Sequence, residues 1–201
     1  MNISKKLFPI FALAIFALAS IAMVKMDAMP WSIDKSHSSI NFEVRHFFAK
    51  VPGAFENYTA DVKFSPDNLA ESSIDVSIEV PSINTKNERR DGHLQSADFF
   101  NAQEFPSIKF TSSKIEAKGD NKFVAHGTLT IKDVSKEFEL PFTLLGVMDH
   151  PRRENSVIAG ISSEFTLLRN NFGVGTGDWV SDAVVGDEVN VTLNLELNAS
   201  K

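Results

Sequence analysis

From Trp31 onward the apolar residues recur at every second position. Ile40, Phe42 and Val44 alternate with Asn41, Glu43 and Arg45, and Ile74, Val76, Ile78 and Val80 alternate with Asp75, Ser77 and Glu79. Near the end, Val189, Val191, Leu193, Leu195 and Leu197 alternate with Asn190, Thr192, Asn194, Glu196 and Asn198. A period of two sends one set of side chains into a core and the other into water, as in an antiparallel sheet. Weaker alternation predicts strands over 55–64, 108–115, 123–131, 138–147 and 157–168, about eight in all.

The breaks between these runs carry turn chemistry. Ser65-Pro66-Asp67-Asn68 reads as a turn, Lys118-Gly119-Asp120-Asn121 as a hairpin, and the stretch 150–155 as a charged hairpin tip. The segment 84–105 is polar and lacks the alternation, which predicts one or two short helical turns crossing between strands. A continuous series of long strands with no linker or repeat predicts a single all-β domain, an eight-stranded antiparallel barrel over 31–198. Closure removes exposed edges, and a barrel of that size is just wide enough to be filled by side chains or to hold one small ligand.

The N-terminus stands apart. Lys5 and Lys6, the apolar run 7–19 broken only by Pro9, and Ala17-Leu18-Ala19 have the layout of a secretory signal peptide over 1–22, with cleavage near residues 19–22. The competing expectation is a retained anchor, because the apolar run extends to Val24. Cleavage would leave 18 basic against 26 acidic residues, a net charge of −8, and no stable membrane span. The absence of cysteine excludes a disulfide scaffold, a thiolate metal site and a lipid-modified N-terminal cysteine. The acidic balance argues against nucleic acid as a partner, since that requires a basic face.

Catalytic signatures are absent. There is no Gly-x-Ser-x-Gly elbow, and Ser36-His37-Ser38 beside Asp34 is better read as turn and capping chemistry than as a hydrolase site. The histidines 37, 46, 93, 126 and 150 share no short ligand spacing, so no metal site is predicted. The glycines of Phe172-Gly173-Val174-Gly175-Thr176-Gly177 do not have phosphate-loop spacing and predict a tight loop with positive φ.

Phenylalanine changes the picture, with 17 Phe beside 2 Trp and 1 Tyr. Phe42, Phe55, Phe64, Phe110, Phe123, Phe138, Phe142 and Phe165, with Val44, fall on the inward parity and are candidate lining of an apolar interior. Parity alone leaves a ligand tunnel and a filled core equally open. Arg45, His46, His93 and Arg169 sit at strand ends or on the crossing segment, where cations and donors at a barrel mouth would suit a phosphate, carboxylate or quinone head group. Salt bridges or a solvated face account for them equally well.

Several motifs in order resemble one family. They are Trp31-Ser32-Ile33-Asp34 with His37-Ser38 and Ile40-Asn41-Phe42, then Val44-Arg45-His46, Gly53-Ala54-Phe55, and Asp91-Gly92-His93-Leu94 with Asp98-Phe99-Phe100. Phe105-Pro106, Ile108-Lys109-Phe110, Gly127-Thr128-Leu129-Thr130-Ile131-Lys132, Arg169-Asn170-Asn171-Phe172-Gly173-Val174 and Asp187-Glu188-Val189 follow. On these the chain resembles the YceI-like proteins across 31–197. The family often has Gly after the Leu-Thr-Ile strand, where this chain has Lys132-Asp133-Val134.

The resemblance implies a lipocalin-like barrel around an apolar tunnel for an isoprenoid lipid, either a polyprenyl phosphate or a quinone. It also implies a periplasmic address, with homodimerisation left open, and no cofactor beyond the lipid ligand. It supplies no catalytic mechanism. The expected function is non-enzymatic binding, transport or storage of such a lipid. The alternatives are an exported stress-response or structural interaction protein with a filled core, and an enzyme acting on an isoprenoid lipid.

Overall fold

Alternation in the sequence becomes a sheet of eleven strand segments, seen in a computed structural model that describes residues 28–201. The segments are β1 (Met29–Ile33), β2 (Ser39–His46), β3 (Ala49–Phe55), β4 (Tyr58–Phe64), β5 (Ser73–Glu79) and β6 (Ile83–Asn84). After the helix α1 (Glu88–Gln95) come β7 (Ser107–Gly119), β8 (Lys122–Ile131), β9 (Val134–Asp149), β10 (Ser156–Leu168) and β11 (Val185–Ser200). The signal-peptide expectation at 1–22 falls outside the described residues. Among them, no helix is long and apolar enough to cross a membrane.

Three pairs of consecutive segments are halves of one bent stave, so the eleven segments form eight staves in up-and-down order. β2 pairs with β3 (Ile40↔Phe55 to His46↔Ala49) and β1 with β4 (Met29↔Phe64 to Trp31↔Val62), making one long bent hairpin. β6 continues β5 in the same way, pairing Ile83 with Phe55 while β5 pairs Ile78 with Tyr58. The ring closes because β11 pairs with both halves of the first stave, Leu197 with Ile33 and Leu193 with Ile40. Closure leaves few unpaired backbone groups and no long free edge.

The bends fall side by side: a short 3-10 turn at Lys35–His37, a break at Glu56-Asn57 and a second 3-10 turn at Val80–Ser82. Backbone bonds tie the last two, with Glu79 N–H donating to Asn57 O at 2.9 Å and Glu56 N–H to Ser82 O at 3.2 Å. The strand predicted over 55–64 is therefore two segments that meet at a corner. β1 and most of β3 carry only short alternating runs and lie outside the strands the pattern predicts.

The predicted helical crossing is α1. Asn87 caps it, its side chain accepting from Arg90 N–H at 3.0 Å. No residue of α1 is buried, so polar staples hold it: Asp91 accepts from the backbone and hydroxyl of Thr85, and Arg90 donates to the Thr85 hydroxyl and carbonyl at 2.7 Å each. The predicted turns also form. Gly119, Asp120 and Asn121 have φ of 86°, 50° and 58°, and Asn155 at the charged tip has 54°.

Candidate functional site

Burial along single strands reveals an interior that is solid at one end and open at the other. In β10 the inward residues Val157, Ala159, Ile161 and Ser163 are buried, while Phe165 and Leu167 are only half-buried on the same face. In β11 Ala199 and Leu197 are buried, while Leu193, Val191 and Val189 are half-buried. Inward-facing apolar side chains stay partly accessible only where they face a void. That void is a cavity of about 720 Å³ opening at the end that carries α1, the β2–β3 turn and the glycine loop.

The inward Phe residues divide between the two ends. Phe42, Val44, Phe55, Phe110, Phe138 and Phe165 line the cavity. Phe64, Phe123 and Phe142 do not. They form an aromatic plug at the closed end, Phe123 stacked on Phe142 at 5.3 Å and Phe64 edge-on to both at 5.1 and 5.5 Å. Parity is the same for both sets, because inwardness fixes the face of a strand and not the depth along the barrel. The filled-core expectation is thus met at the closed end and not at the open one.

Two cavity aromatics lie over glycines. A Cβ on Gly53 would fall 2.2 Å from the Phe42 ring, and one on Gly127 would fall 2.3 Å from Thr111 O and 2.9 Å from the Phe110 ring. The glycines let these rings lie close to the wall and so leave the centre of the barrel open.

At the mouth, His46, His93 and Arg169 line the cavity, and Arg45 does not. Arg45 instead donates to the carbonyls of Phe47 (2.8 Å) and Asp182. Arg169 is buried, and its Nε, Nη1 and Nη2 donate to Gly186 O, Val174 O and Val185 O at 2.9, 2.7 and 2.8 Å. Burial pushes its pKa down, and the nearby Asp187 and Asp182 carboxylates partly restore it. Its direct acceptors are neutral carbonyls, and the Asp187 and Asp182 carboxylates nearby offset part of its charge.

Within the glycine loop, Gly175 makes room for that arginine. Gly173, Gly175 and Gly177 have φ of 62°, 99° and 56°, and a Cβ at Gly175 would lie 2.1 Å from Arg169 Nη1. Lys132, where the family often has Gly, adopts φ 56° and donates from Nζ to Gly173 O at 2.7 Å, tying the β8–β9 turn to the same loop. His93 makes a 3.0 Å bond to Asp98 and packs edge-on against Phe99 and Trp179 at 5.1 and 5.0 Å. Trp179 lines the cavity with no periodic signal in the sequence that could have placed it there.

Ser36, His37 and Asp34 do meet, but not as a nucleophilic relay. Ser36 Oγ and His37 Nδ1 both bind the Asp34 carboxylate, at 2.5 and 3.2 Å, so the serine is not aligned on the histidine. These bonds hold the Asp34 pKa at about 2, and His37 is raised by Asp34 and by Glu196. The cluster is at the surface, among residues that do not line the cavity.

Comparison with known proteins agrees with this architecture. Residues 31–197 match the YceI-like domain. A UPF0312 protein of Staphylococcus aureus is 30% identical over 174 residues, covering 85% of this chain and 98% of its own length. Among solved structures, BcnA of Burkholderia cenocepacia superposes with a TM-score of 0.73 at 27% identity, covering 84% of this chain and 99% of that one. The YCEI protein of Campylobacter jejuni gives 0.67 at 32% identity, covering 77% and 88%. A polyisoprenoid binding domain from Saccharophagus degradans shares the fold, with a TM-score of 0.63 at 13% identity over 85% and 99% of the two chains.

Proposed function

The chain belongs to the YceI-like domain family, and on that premise we propose that it binds an isoprenoid lipid, holding the hydrocarbon in its barrel and the head group at the mouth. The observation that carries this reading is the cavity of about 720 Å³, walled by Phe, Val, Leu and Ile and open at one end. Burying apolar surface contributes roughly 25 cal/mol per Å² before ordering costs, so a hydrocarbon chain needs no polar contact to bind there. The shared fold with a polyisoprenoid binding domain supports the same ligand class. A buried guanidinium on the cavity wall, that of Arg169, supports an electron-rich head, as in a polyprenyl phosphate or a quinone.

The protein carries or stores the lipid without converting it. Supporting this, three of the polar groups at the mouth have structural partners: Thr85 with Asp91 and Arg90, His93 with Asp98, and Arg169 with three carbonyls. The proposed setting is the periplasm, supported by the basic and apolar pattern of residues 1–22.

The test is organic extraction and mass spectrometry of the exported protein, purified without detergent from its host. A stoichiometric isoprenoid species is expected, and Phe42→Asp should remove it from a protein that still folds. An empty extract, repeated after incubation with polyprenyl phosphates and quinones, would refute the reading.

A further inference from the structure

The β2–β3 turn is unlike the other turns of the barrel. His46 and Ala49 close a two-residue connection made of Phe47 and Phe48. Phe47 has φ 51°, a left-handed conformation that Gly and Asn adopt readily and a bulky aromatic does not. Phe48 is fully exposed and Phe47 is 49% exposed. Backbone strain and exposed apolar area, both unfavourable in water, coincide at one tip.

The tip is braced. Phe47 N–H donates to Val184 O at 2.8 Å, Arg45 bridges the carbonyls of Phe47 and Asp182, and the His46 ring meets the Phe47 ring edge-on at 4.6 Å. The two aromatics therefore project from a fixed support. Directly below them Val44, His46 and Val51 line the cavity, and Val180, on the rim segment that leads to the bracing residues, is also exposed.

We propose that Phe47 and Phe48 form a wedge that inserts into the interface of a phospholipid bilayer and seats the cavity mouth on the membrane. Two rings on a two-residue turn offer far less than the ~800 Å² per partner of a stable protein interface. Aromatic side chains at an apolar edge do bind a bilayer interface. The neighbouring charges are mixed, Arg45 and Lys50 against Glu43 and Asp182, with Lys50 paired to Glu43 at 2.7 Å. The aromatics, not anionic lipid, therefore drive docking, and a zwitterionic bilayer suffices. A hydrocarbon chain then passes between bilayer and barrel without crossing water, a step that rests on the proposed lipid-binding function.

Phe47→Gly/Phe48→Ser puts glycine at the one positive-φ position of the turn and a small polar residue after it, so it removes the wedge while suiting the observed backbone. In flotation with phosphatidylcholine vesicles the exported protein should bind, and the variant's affinity should fall at least about tenfold, equivalent to about 1.4 kcal/mol. Both proteins share one N-terminus, so the difference reports the tip. Uptake of a polyprenyl phosphate from loaded vesicles should slow in the variant, with unchanged final occupancy when the lipid is added from ethanol. Equal vesicle binding by the two proteins, or none by the unmodified one, overturns the inference. Failure of both to take up lipid from ethanol counts against the lipid-binding function instead, and the flotation result then decides docking alone.

Discussion

Truncating one ring at each end of the barrel should have unequal consequences, because only one end is packed. Phe123 is 5% exposed, stacked on Phe142 and edge-on to Phe64, all three on strands of a closed sheet that cannot collapse around a hole. Phe123→Ala should therefore cost about 3–5 kcal/mol, the range for a fully packed aromatic. Phe138 meets Phe110 at 6.3 Å and Phe165 at 5.2 Å on one side, and faces the cavity on the other. Phe138→Ala loses only the covered part of the ring, about 1–2 kcal/mol. For a domain of this size these losses lower Tm by roughly 6–20 °C and 2–8 °C respectively. Urea unfolding of the lipid-free protein, with equal m-values in both variants, measures the two. A Phe138→Ala loss as large as that of Phe123→Ala would mean that the interior is packed uniformly and the cavity is not open in solution.

Two further outcomes follow from local geometry. Gly175→Ala would place a Cβ 2.1 Å from Arg169 Nη1 at φ 99°, so it should destabilise by more than about 1 kcal/mol, and a loss below that in thermal melts would contradict the role of the glycine. The Asp34–His37 pair should favour the fold most between the ordinary values of 3.8 and 6.5. The Asp34 contribution, from a depressed pKa, is lost as pH falls through about 2, and that of His37, from a raised pKa, is lost as pH rises past its folded value. NMR titration should find His37 above 6.5 and returning toward it in Asp34→Asn; an unchanged His37 would exclude Asp34 as the cause.

Local pattern determined the strands and turns because alternation and turn residues are properties of neighbouring residues, whereas closure joins β11 to β1 and β2 across the length of the domain. The run from Val189 to Leu197, the Gly119-Asp120-Asn121 turn and the unpatterned segment holding α1 each specify their own backbone. The glycine loop was legible too, since positive φ is a demand on single residues. Depth was not legible. Phe123 and Phe138 read alike on the chain, yet one closes the barrel and the other faces a void, because depth depends on how staves bend and stagger against each other. Arg45 and Arg169 likewise read as equivalent candidates for a head group. Only the tertiary structure gives Arg169 a buried place on the cavity wall and Arg45 the bracing of an exposed tip, since their acceptors are carbonyls from segments distant in sequence.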